Sequence, residues 1–217
     1  MIDLVNLVGT HVPRWGARFF PDMLFRMPTT ERVAYLTFDD GPTDRGTSAL
    51  LDVLERFETK ASFFLLGREV RRRPALVRAM AEAGHTIGNH SYSHPNAWAP
   101  GTSDTVVLRE LERATGVIQD LTQRPVQWMR PPYGRFTDAM RHWCQVRRQR
   151  CTMWDVGPGD FLPTARREAV EQRVLDLIRP GSIIVLHDNP RTQDMVPQVL
   201  STLLERLKNE GWRFAAL

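Results

Sequence analysis

From residue 33 to residue 217 the sequence alternates between short β-branched or aromatic runs and longer stretches with helical spacing, and this rhythm limits the fold more than any other feature. Strands are expected over residues 33–38, 61–65, 86–89, 126–130, 151–155, 182–186 and 213–217. Helices are expected over 47–56, 74–83, 103–121, 137–145, 166–178 and 196–209, with Gly84 and Gly211 just past two of them, where a left-handed cap belongs. Parallel strands need a crossover of about a dozen residues, usually a helix. The alternation therefore predicts an α/β fold with about seven parallel strands, in a sheet either open or closed into a barrel. No internal repeat, low-complexity tract or linker interrupts it, so a single domain over residues 1–217 is expected, with an irregular segment, 1–32, before the first strand.

The 217 residues, 42% hydrophobic and 25% charged, can bury a sizeable core. No apolar run approaches the roughly 20 residues of a membrane span. The first twenty residues lack the basic start, apolar centre and small-residue cleavage site of a secretory signal, so a cytoplasmic protein is expected. Two cysteines, Cys144 and Cys151, make no disulfide framework and are expected free. The formal net charge is +4, and Lys60 and Lys208 are the only lysines, so the basicity is arginine. The clusters Arg71-Arg72-Arg73 and Arg147-Arg148 fall between expected elements and no nucleic-acid module accompanies them, so a solvated surface is expected and no nucleic acid.

Chemistry-bearing residues recur where strands end. In TFDDGP (37–42) two carboxylates close an apolar run and Gly41-Pro42 breaks the strand, which frees Asp39 and Asp40 from pointing to opposite faces. Alone, such a pair is as well explained by an Asx-type turn. GHTIGNHSYSHP brings His90 and His94, four apart, beside a strand end; with one carboxylate they make three metal ligands, whereas an isolated pair is more often a hydrogen-bonded core histidine and its neighbour. RPPYG sets Arg130 before a stiff turn, with Asp39 as an available anion; the alternative is an ordinary surface arginine. WDVGPGDF carries Trp154, which alone reads as core, and IIVLHD ends in His187, placed as an acid or base. All five groups lie at the carboxyl ends of expected parallel strands, the edge where barrels and open α/β sheets assemble their sites.

In this order, TFDDGP, HSYSH, RPPYG, WDVGPGDF and LHD resemble the five motifs of the polysaccharide deacetylases, carbohydrate esterase family 4, over residues 33–217. The resemblance implies a distorted (β/α) barrel with fewer than eight strands. It implies Asp39 as general base, Asp40, His90 and His94 as metal ligands, and Arg130 as the partner holding Asp39. It further implies Tyr133 N–H as an oxyanion donor, His187 as general acid, Asp160 as the carboxylate orienting it, and Trp154 as a wall of the acetyl pocket. Gly157 and Phe161 stand where many members have Asp and Trp.

The expectation is a metal-dependent amidohydrolase removing N-acetyl groups from a glycan containing N-acetylglucosamine, of chitooligosaccharide or peptidoglycan type. Zinc suits an Asp/His/His set best, with cobalt, nickel, manganese and iron as other candidates. Two rivals stand beside it: a deformylase or cyclic-amide hydrolase on the same scaffold, and a non-catalytic glycan- or metal-binding module. Asp39 and His187 weigh against the latter, because binding needs neither a spare base nor an acid.

Overall fold

The computed structural model describes residues 19–217. Its strands are β1 (Met23–Leu24), β2 (Val33–Asp39), β3 (Ser62–Leu65), β4 (Thr86–Asn89), β5 (Trp128–Met129), β6 (Arg150–Thr152), β7 (Ile183–His187) and β8 (Arg213–Ala215). Between them run α1 (Asp44–Arg56), α2 (Gly67–Arg72), α3 (Pro74–Glu82), α4 (Asp104–Thr122), α5 (Asp138–Val146), α6 (Arg167–Leu177) and α7 (Val196–Asn209). All eight strands join one parallel sheet in the order β1-β6-β5-β4-β3-β2-β7, while β8 pairs with the first residues of β2. The seven expected strands are all present. Among the described residues the two outer ends of the sheet meet through isolated bridges and scattered bonds rather than a continuous ladder: Val156 bridges Ile184, Arg26 bridges Ser182, and Met27 N–H donates to Gly181 C=O at 2.9 Å. The sheet thus curls into a distorted α/β barrel.

Burial explains the curl. On β2, Ala34, Leu36 and Phe38 pack with the helices α1, α3 and α7 in one large apolar cluster. The alternate residues Tyr35, Thr37 and Asp39 face the other way, as the two-residue period of a strand requires, and Thr37 and Asp39 both meet Arg130. On β7, Ile184 and Leu186 join the first cluster, whereas Ile183 and Val185 join a second one with Phe64, Met129, Met153 and Trp154. His187 therefore falls on the same face of its strand as Val185.

Several details differ from the sequence-based expectation. The segment 1–32 is not wholly irregular: residues 1–18 lie outside the described residues, but Met23–Leu24 form β1 beside β6, with Met23, Leu24 and Phe25 all buried. Two residues are too few to show a period. Arg71 and Arg72 lie in the last turn of α2 rather than between elements, where Glu69 pairs with Arg72 at 3.0 Å. Ser103 and Thr137 are N-caps of α4 and α5, accepting from Val106 N–H and Met140 N–H, rather than their first helical residues. Gly84 and Gly211 do take the left-handed conformation, with φ of 81° and 83°. Cys144 and Cys151 are buried and free. No described helix is long and apolar enough to cross a membrane.

Candidate active site

The loops that leave β2, β4, β5, β6 and β7 at their carboxyl ends converge on one mouth. Asp40 follows β2 directly, in the left-handed region at φ 79°, and His94 does the same in the loop after β4 at φ 68°. Non-glycine residues held in that region cost of order 1–3 kcal/mol each and persist where the surroundings enforce them. The result is a compact trio: ligand atoms of Asp40, His90 and His94 all lie within 4.8 Å of one another. His90 Nδ1 donates to the Arg130 carbonyl at 2.8 Å, which turns its Nε2 toward the trio, 3.7 Å from Asp40 Oδ1. His94 Nε2 stands 3.4 Å from the same oxygen. Burial and neighbouring His90 push the His94 pKa down to about 4 against the pull of Asp40 and Asp39, so it is neutral at physiological pH. Burial works to raise Asp40, but His90, His187 and His94 hold it below its usual value. A carboxylate and two imidazoles, one oriented by a backbone carbonyl, are a donor set that suits a divalent cation.

Asp39 is set apart from the trio. Its Oδ1 accepts from Arg130 Nη1 at 2.8 Å, and Oδ2 lies 3.8 Å from His90 Nε2. Arg130 is not on the surface: it is 0% exposed, donates to Thr37 Oγ1 at 2.7 Å and Met153 C=O at 2.8 Å, and lies 4.1 Å over the Phe64 ring. Burial pushes its pKa down, Asp39 pushes it back up, and no protein environment removes a guanidinium's charge.

Across the adjoining strand, Asp39 and His187 are register partners of β2 and β7. Asp160, 2% exposed, clamps His187 twice, accepting from its backbone N–H at 2.7 Å and from Nδ1 at 3.0 Å. Burial alone would lower the His187 pKa, but Asp160, with Asp40 and Asp39, raises it to about 9, so the ring carries a proton at neutral pH and presents Nε2. Phe161 packs its edge on the same imidazole, with centroids 5.0 Å apart. Gly157 is buried in the same loop. Tyr133 adopts φ 59° within the turn after the two prolines, and its half-exposed ring stands 4.4 Å from His94. Trp154 forms the floor under that turn: a Cβ on Gly134 would come within 2.9 Å of its ring.

Two more residues support the site: Asn189, outside every motif noted in the sequence, and Asp188, which closes the LHD motif but was given no role there. Asn189 Nδ2 donates to Asp40 Oδ2 at 3.0 Å and so fixes the carboxylate. Asp188 turns away from the mouth, accepting from Thr43 Oγ1 at 2.7 Å and from Thr47 Oγ1, while its N–H donates to Asp39 C=O at 2.8 Å. It thereby ties the loop after β7 to the TFDDGP loop and the start of α1. Burial raises its pKa to about 6 despite the two hydroxyl bonds.

Comparison with known proteins places this geometry in context. A family model described as polysaccharide deacetylase matches residues 26–148. A chitooligosaccharide deacetylase of Sinorhizobium fredii is 33% identical over 193 residues, 84% of this chain and 89% of that one. A solved peptidoglycan N-acetylglucosamine deacetylase superposes with a TM-score of 0.85 at 28% identity, covering 95% of both chains. A solved Bacillus anthracis protein, a pseudoenzyme of carbohydrate esterase family 4, superposes with a TM-score of 0.79 at 26% identity over 89% of this chain and 66% of its own.

Proposed function

The chain belongs to the polysaccharide deacetylase family, and from that premise we propose that it is a metal-dependent hydrolase that removes N-acetyl groups from glycans containing N-acetylglucosamine. Asp40, His90 and His94 would hold the metal, with zinc preferred for this donor set and cobalt, nickel, manganese or iron able to use the same atoms. When bound, the cation supplies Lewis acidity toward a water and the amide carbonyl. Asp39, held by Arg130 and left out of the trio, accepts the proton of the attacking water. Tyr133 N–H donates to the oxygen that gains charge as the carbonyl carbon becomes tetrahedral. His187, charged and aligned by Asp160, gives its proton to the departing amine, so the C–N bond breaks to acetate and a glucosamine unit. Trp154 closes the floor beneath the acetyl group.

The observation that carries this reading is the pairing of Asp39 with His187 on neighbouring strands beside the trio. A module that only bound metal or sugar would need neither group. The similarity to a pseudoenzyme keeps the non-catalytic reading as the one to test. Metal-loaded protein should release acetate from chitooligosaccharides or peptidoglycan fragments. Acetate from none of these, nor from acetylated xylan, would return the chain to a binding role. Formate from N-formyl substrates, or opening of a cyclic amide, would instead favour a different C–N hydrolase.

A further inference from the structure

The mouth continues outward as a ladder of rings that the reaction itself does not use. Tyr133 rests against His94, and the Arg135 guanidinium lies near two aromatic rings, its carbon 5.6 Å from the Tyr133 centroid and 5.5 Å from that of Trp98. Trp98 is 46% exposed and Tyr133 56% exposed, and the Trp98 ring is held in place: its Nε1 donates to Phe136 C=O at 2.9 Å and its backbone N–H to Asn96 Oδ1 at 3.1 Å. Rigid exposed rings offer flat apolar faces, which the C–H faces of pyranose rings match. Arg135 makes no ion pair among the described residues, and its Nε is buried without an acceptor. A cation–π contact uses the charge of a guanidinium and not its N–H donors, which stay available to a carboxylate.

We propose that Trp98, Arg135 and Tyr133 form the subsite for the sugar next to the one being deacetylated, and that Arg135 selects strands in which that neighbour carries a carboxylate. The substrate class is thereby an acidic amino-sugar glycan, such as one bearing a lactyl ether or a short peptide, in preference to neutral chitooligosaccharide. This rests on the deacetylase reading above, since it places the ladder beside a reacting sugar.

The test uses three glycans of equal length: one with a free lactyl carboxylate, the same compound with that carboxylate amidated, and neutral chitooligosaccharide. Wild-type metal-loaded protein should turn over the free acid about fivefold better in kcat/KM than its amide, the size of one exposed charge pair. The advantage should shrink with added salt. Arg135→Met should bring the ratio to about one, and Arg135→Lys should leave part of it. Trp98→Ala should keep the ratio while raising KM on all three. Equal turnover of acid and amide by the wild type, or an unchanged ratio in Arg135→Met, overturns the assignment. Calorimetric binding of the same glycans to metal-loaded Asp39→Asn separates the two claims: a carboxylate preference in binding with no acetate release by the wild type would sink the deacetylase reading and leave the subsite standing.

Discussion

At the scale of single residues, the neighbours Asp39 and Asp40 should fail in different ways. Asp39→Asn should keep bound metal and lose most turnover, because an amide cannot accept the water's proton, whereas Asp40→Asn should lose metal. Elemental analysis beside acetate release separates the two, and equal metal loss in both would overturn the division. Arg130 carries a different liability. It is fully buried against a carboxylate that is itself 2% exposed, so Arg130→Met strands a buried charge at a cost of about 3–5 kcal/mol. Urea denaturation should show that loss, and the double variant Arg130→Met/Asp39→Asn should recover part of it, since the second change removes the orphaned charge. The residues that the sequence reading singles out share one property: each sits in a short motif at the end of an apolar run. The structure brings Asp39, Asp40, His90, His94, Arg130, Asp160 and His187 together, and Trp154 and Tyr133 beside them. Asn189 escaped that reading because its partner Asp40 lies 149 positions away and an asparagine after a strand normally signals only a turn.

At the scale of elements, α1 shows the site overriding local preference. Gly46 lies within this helix, where alanine would ordinarily gain about 1 kcal/mol. A Cβ there would meet Thr43 Oγ1 at 2.6 Å and Asp188 Oδ1 at 2.7 Å, both engaged with each other in a buried hydrogen bond. Overpacking of this kind typically costs about 1–3 kcal/mol. Gly46→Ala should therefore destabilise the protein in chemical denaturation, with weaker metal retention because Asp188 anchors the loop that carries Asn189. A gain in stability would show that the helix, and not the tie to β7, governs this position. Six of the seven described helices were legible from their periodicity, and α2 was not, because six residues hold fewer than two turns. The strand pattern located β5 but overstated it, since only Trp128–Met129 pair within 126–130. Pro125 before that stretch and Pro131 after it lack the N–H a ladder needs.

For the whole molecule, pH reports on how the site is wired into the fold. The His187 pKa stands at about 9, above its ordinary 6.5, so its contribution to stability is fully present below about 6.5 and is lost as pH rises through about 9. Metal-free protein should show a falling Tm between pH 7 and 9.5, and Asp160→Asn, which removes the main raising influence, should show a smaller fall over the same window. Calorimetry at the two pH values decides it. Alternation alone left both barrel and open sheet available, and what resolves them is two isolated bridges, at Val156 and Arg26, that no period encodes. The order of the strands has a further consequence for how the protein is made. β2, β3 and β4 are neighbours both in the chain and in the sheet, but the partner that sets His187 opposite Asp39 is β7, near the far end of the chain. During synthesis the ribosome therefore delivers Asp40, His90 and His94 early, Arg130 later, and Asp160 with His187 last. The nascent chain can gather its candidate metal trio while one edge of β2 still waits, unpaired and apolar, for its later neighbours. His187 arrives with β7, which covers Tyr35–Asp39 on that edge, and β8 then covers Val33–Tyr35, so the edge is closed only when the last strand has been made.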